Sequence, residues 1–184
     1  QRATEKFGAA LKLDPRNASI HFLNALSYHL LGEQGYEENL SLAETGYMVT
    51  LSFDSSNYWA SYLLGHIYFK WNRYRQAQDA FAYALLLEDQ NVEFMKGLLK
   101  SSYYAQDLDT ALSTLQEIIK TGPLDPDTVR AASLVHSAAA NSEKADEYFD
   151  QYAVMLEIKS ETDFAAKNDV FLDFVDFIGK IALQ

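Results

Sequence analysis

Along this chain apolar residues recur every three to four positions, in stretches separated by short polar turns, as in amphipathic helices. The pattern predicts helices over residues 2–13, 18–32, 36–52, 57–71, 74–87, 91–105, 108–121, 126–140, 142–159 and 162–183, and no strands. Asn17, Asn57, Asn91, Asp107 and Asp125 stand at or just before the start of five of these stretches, where a short polar side chain can accept from an unpaired backbone N–H. Pro126 takes a first helical position, where its missing donor does no harm.

A longer period lies over the helical one. Ala77, Ala111 and Ala145 are 34 residues apart, and each is followed four residues later by a bulky apolar residue: Phe81, Leu115 and Phe149. A small residue followed by a large one at a fixed interval of that length marks a helical repeat array. All six read as core positions, the small ones letting two helix backbones approach and the large ones filling the space between successive pairs.

Residues 58–89 contain Leu64, Gly65, Tyr68, Tyr74, Ala77, Phe81 and Ala84 in the order and spacing of the tetratricopeptide repeat. Residues 92–123 keep Leu98, Leu108, Ala111 and Leu115 and end on Pro123, whereas Asp89 replaces the corresponding proline one repeat earlier. A third repeat from Pro126 keeps Ala132, Ala145 and Phe149. On these residues the chain resembles the tetratricopeptide repeat family. The resemblance implies an all-α, right-handed superhelical array of antiparallel helix pairs, an α-solenoid, sealed by a C-terminal capping helix.

The expected organisation is one array: the second helix of a truncated repeat (1–17), an irregular repeat with an inserted turn (18–56), two regular repeats (57–90 and 91–124), a degenerate repeat (125–159) and the capping helix (160–184). Because Ala3, Phe7, Ala10 and Pro15 reproduce the second half of a repeat, the chain is expected to be part of a longer protein. The irregular repeat carries Ala25 and Tyr28 in its first helix, but its second-helix markers Ala43 and Tyr47 come about six residues late. The extra residues fall around Gly32, Gly35 and Tyr36, which read as a turn on one face of the array.

Composition narrows the function classes. There is no Cys, which removes disulfides, thiolate nucleophiles and cysteine zinc sites together. The net charge of −11 repels nucleic acid phosphates, so no nucleic acid partner is expected. No apolar stretch is long enough to span a bilayer, and the chain reads as soluble, with no membrane insertion and a cytoplasmic setting favoured. His21, His29, His66 and His136 fall in four first helices without metal-ligand spacing, and neither a phosphate-binding glycine loop nor a nucleophile elbow is present. No metal, no cofactor and no catalytic residue is expected.

What remains is a face. At ~100° per residue, Trp59, Tyr62, His66 and Phe69 cluster beside the packing positions of their helix. The family resemblance places that face on the concave surface, where peptides are held. The equivalent positions of the next repeat are Glu93, Lys96, Lys100 and Tyr103, and Asp127, Arg130, Leu134 and Ser137 follow in the third. The inferred peptide groove is Trp59, Tyr62, His66, Phe69, Lys96, Lys100, Tyr103 and Arg130: aromatic, then basic, and suited to a protein segment of acidic or aromatic character. Phe22 and Leu26 occupy the corresponding positions of the first full repeat, which departs from the Lys and Asn arrangement that grips terminal carboxylates in some family members.

The expected role is thus a noncatalytic interaction scaffold or adaptor. The alternatives are a secretion-type chaperone for an exported partner and a regulatory or recruiting domain of a larger enzyme. In the last predicted helix, Val170 and Phe177 widen the apolar arc beyond what one core face needs, so this surface is a candidate for homodimer contact.

Overall fold

A computed structural model describes the backbone of residues 2–182 and the side chains of residues 2–163. Among the described residues there are nine helices and no strand: α1 (Arg2–Leu13), α2 (Ala18–Glu33), α3 (Asn39–Phe53), α4 (Tyr58–Lys70), α5 (Tyr74–Leu87), α6 (Val92–Tyr104), α7 (Leu108–Thr121), α8 (Pro126–Ala138) and α9 (Ser142–Ala182). Contacts gather into two compact units, Gln1–Gly122 and Pro123–Gln184. In the first unit, α1 to α6 each pack against the next helix along the chain; in the second, α8 packs on α9.

Local chemistry sets the helix starts. Asn17, Asn57, Asn91, Asp107 and Asp125 each accept a backbone N–H from the first turn, for example Ala60 N at 2.9 Å on Asn57 and Thr128 N at 3.0 Å on Asp125. Asp107 does more than cap α7, because its carboxylate also takes Thr110 Oγ1 at 2.8 Å and Gln78 Nε2, from α5, at 2.6 Å. Hydrogen bonds from Thr110 and then Gln78 hold its carboxyl below the ordinary range.

The repeat period reappears in the turns. Asn72, Gln106 and Ala140, 34 residues apart, have φ of 58°, 62° and 57°. Each left-handed residue lets the next N–H reach back to the carbonyl five residues earlier: Arg73 to Tyr68 (2.8 Å), Asp107 to Ser102 (2.9 Å) and Asn141 to His136 (2.9 Å). The first pair closes the same way through Gly35, at φ 102°, with Tyr36 N bonded to Leu31 O at 3.2 Å.

The irregular repeat is longer in two places. Helix α2 has 16 residues against 13 in α4, and the turn after it runs over 34–38, whereas the turn after α4 covers only 71–73. The helix expected from residue 36 starts at Asn39 instead. Asn39 directs both its backbone N (2.9 Å) and its Nδ2 (3.0 Å) to the Tyr36 carbonyl, which fixes residues 36–38 in the turn.

Periodic positions form the core of the first unit. Ala43, Ala77 and Ala111 are fully buried, as are Phe81, Leu115 and Tyr47. Tyr47 centres a cluster with Ala25, Leu40, Ala43, Ala60, Leu64 and Ile67. The Phe81 ring lies between Gly65 of α4 and Gly97 of α6, where a methyl on either glycine would stand 2.7 Å from it. Phe149 departs from this pattern: it is 60% exposed, although it follows Ala145 as Phe81 follows Ala77. Phe81 is covered from two first helices, whereas among the described residues the second unit offers only α8.

The break expected between residues 159 and 162 does not occur, and residues 142–182 form one helix. No Gly or Pro lies at residues 159–162, and Thr162 turns its hydroxyl back to the Ile158 carbonyl (2.8 Å) rather than capping a new helix. The separate capping helix expected over 160–184 is therefore the distal part of α9 up to Ala182.

Candidate groove on the first helices

Helix α4 buries Ala60, Ser61, Leu64, Gly65 and Ile67. Ser61 is compatible with that face because its hydroxyl donates to the Ala80 carbonyl at 2.9 Å, tying α4 to α5. The next stripe round the helix, at spacings of three and four, is Trp59, Tyr62, His66 and Phe69, continued by Lys70.

Tyr62 is the hub of this stripe. Its ring lies 4.5 Å from His66 and 4.6 Å from Phe94 of α6, centroid to centroid, and 5.7 Å from both Trp59 and Phe81. Most of these contacts are edge-on, the arrangement that aromatic quadrupoles favour. Trp59 remains 47% exposed while its edge meets Phe94 at 5.6 Å. Phe69 closes a second aromatic group with Tyr74 (5.4 Å) and Tyr104 (5.5 Å), which stack on each other at 4.9 Å. The aromatic face is thus half surface and half packing, so its rings are held in place rather than free to reorient.

Beside this stripe, α2 and α4 enclose an open cleft of about 520 Å³. Tyr62, Leu63, His66, Phe69 and Lys70 line it from α4, and His29 and Glu33 from α2. His66 is exposed on the cleft floor, yet burial disfavours its charged form and the nearby His29 adds to that, so its pKa is lowered. An imidazole open to water on one side and crowded by protein on the others has this character. Burial also lowers the pKa of His29. His29 is only 8% exposed; its Nδ1 lies 3.2 Å from the Tyr47 hydroxyl and its Nε2 3.9 Å from Glu33 Oε1. Glu33 Oε1 also accepts from Lys70 Nζ at 3.0 Å, which joins the two helices across the cleft.

On α6, Lys96 Nζ pairs with Glu93 Oε1 at 2.7 Å, and Lys100 and Tyr103 are half-buried. Tyr103 meets the Tyr104 ring at 5.2 Å. Of the residues read from the sequence as a groove, Tyr62, His66 and Phe69 share the cleft, Trp59 joins through ring contacts, and Lys96, Lys100 and Tyr103 stand on α6 outside it. Arg130 is exposed on α8, in the second unit. Val170 and Phe177 lie outside the residues whose side chains are described. Among the described residues no group of three or more His, Cys, Asp or Glu could hold a metal ion, and no helix is long and apolar enough to cross a membrane.

His29, Glu33, Leu63 and Lys70 are the cleft residues that the sequence reading missed. A signal for His29 was available: the offset of 40 residues that carries Ala25 to Gly65 carries His29 to Phe69.

No protein-family model matches the sequence, and no curated protein matches it. Solved structures do share the fold. A crystal structure of MamA protein superposes with a TM-score of 0.74 at 19% identity, over 86% of this chain and 84% of that one. PilW, a widely conserved type IV pilus biogenesis factor, gives 0.66 at 20% identity, over 83% and 69%. A structure of Naa15/Naa10 bound to HypK-THB gives 0.59 at 20% identity over 83% of this chain, which spans only 22% of that longer one. At these identities the likeness shows a shared fold, an all-helical repeat array of the tetratricopeptide type.

Proposed function

We propose that this chain, an all-α array with the tetratricopeptide repeat fold, is a noncatalytic scaffold that holds a segment of a partner protein on the first-helix face of its first unit. The observation that carries this reading is the half-exposed aromatic stripe Trp59, Tyr62, His66 and Phe69 beside an open cleft. Rings fixed by packing on one side and open on the other lose little entropy on binding, which is the character of an interface anchor.

Charge supports a partner segment that is apolar or acidic. Helices α2, α4 and α6 together carry two acidic side chains, Glu33 and Glu93, and three basic ones, Lys70, Lys96 and Lys100. With 26 acidic and 15 basic residues in the whole chain, the remainder holds 24 and 12. The face therefore lacks the acidic excess of the rest of the protein, and His29 and His66 stay neutral at pH 7.

Selection of displayed peptides on the immobilised protein, followed by calorimetry, tests the reading. Tyr62→Ala is expected to weaken a selected peptide by ~1–2 kcal/mol while helix content by circular dichroism is unchanged. Peptides that bind the wild type and Tyr62→Ala equally would place the interface elsewhere.

A further inference from the structure

The inserted turn builds a second cleft that the first-helix groove does not use. It encloses about 580 Å³ beside residues 34–39, with Tyr28 and Leu31 of α2 as apolar walls and α1 closing one side through Thr4. Its rim is Gln34, Tyr36, Glu38 and Asn39. Tyr36 is 57% exposed, an unusual position for an aromatic ring in a chain whose other tyrosines are mostly packed. The turn under it is fixed: Tyr36 N bonds to Leu31 O, and Asn39 binds the Tyr36 carbonyl twice.

The charge of this rim is one-sided. Glu38 supplies a carboxylate, Tyr36 a ring face, and Gln34 and Asn39 amide oxygens, with one Asn39 Nδ2 N–H donated to the Tyr36 carbonyl. None of the lining residues is basic. An arginine guanidinium meets these demands together: it is planar, carries five N–H donors and no acceptor, stacks on aromatic faces and pairs with carboxylates through two parallel bonds. The net charge of −11 attracts a basic segment toward the surface.

From the pairing of an exposed tyrosine with a carboxylate on a rim that carries no basic residue, we infer that the cleft at the inserted turn binds an arginine side chain of a basic partner segment. This site is separate from the first-helix groove and selects a partner of opposite charge character. It also gives the three-residue enlargement of α2 and the longer turn after it a role: they carry Tyr36 and Glu38 out beyond the regular repeat.

Titration of the ¹⁵N-labelled full chain with acetyl-Gly-Arg-Gly-amide, followed by amide shifts, tests this directly. Saturable shifts confined to the turn and to the facing parts of α1 and α2 are expected, weaker with the Lys analogue and absent with the Glu analogue. Tyr36→Ala and Glu38→Gln are each expected to weaken the Arg peptide about fivefold, and Tyr62→Ala to leave it unchanged. Tyr36 is exposed, so its variant keeps the fold, which the unperturbed amide spectrum verifies. Equal response to the Arg and Glu peptides, shifts centred on α4, or indifference to Tyr36→Ala would overturn the inference.

Discussion

The Phe81 ring of α5 sits directly on the backbone of Gly97 in α6, so close that a β-carbon at residue 97 would stand 2.7 Å from it. Gly97 belongs to the next repeat, and this contact is how one helix pair locks onto its successor. Gly97→Ala gains ~1 kcal/mol of helix propensity but must displace a fully buried ring, and overpacking of that kind costs ~1–3 kcal/mol. Thermal unfolding is therefore expected to show net destabilisation. Gly8→Ala is the control, because a β-carbon there meets nothing within 4 Å, and it is expected to be neutral or stabilising.

Stability should fall as pH drops below neutral, through His29. Burial lowers its pKa from the ordinary 6.5, so below that value the unfolded chain binds a proton that the folded chain refuses. The groups that face it are Tyr47 from α3, Glu33 from its own helix, and Lys70 and His66 from α4. Tyr47 keeps its proton because burial pushes its phenol far above the ordinary value, which leaves no anion there to favour an imidazolium. Its contribution is complete above pH 6.5 and is lost as pH falls toward the folded value. Melting temperatures compared at pH 7.5 and 5.5 should differ less in His29→Gln than in the wild type; equal differences would remove His29 from the account.

Ala140 holds φ at 57° without the freedom of glycine, at an exposed turn position. A left-handed alanine costs ~1–2 kcal/mol, partly offset in glycine by greater unfolded-state entropy. Ala140→Gly is expected to stabilise the chain by ~0.5–1 kcal/mol in denaturant unfolding. The same substitution at Ala111, fully buried in α7, should destabilise it.

Much of this fold was legible because it is built from short-range and periodic signals. The caps at Asn17, Asn57, Asn91, Asp107 and Asp125 act within one helical turn, and a 34-residue period repeats the same packing problem, so Ala77, Phe81 and Ala111 could be read as core from spacing alone. The groove was legible only in part. Tyr62, His66 and Phe69 share one helix, and helical geometry groups them; Glu33 and Lys70 come together only because α2 and α4 face each other across a cleft.

By itself, then, the sequence determined an all-helical repeat array, its helix starts and its small-to-large core positions, since each depends on residues a turn or a repeat apart. Tertiary structure alone decided two other matters. Phe149 is exposed where Phe81 is buried, because burial needs a second covering helix and not just the right residue. The pairing of His29 with Tyr47 and the carriage of Tyr36 on a fixed turn depend on how α2 and α3 meet across an irregular connection, and no period encodes that.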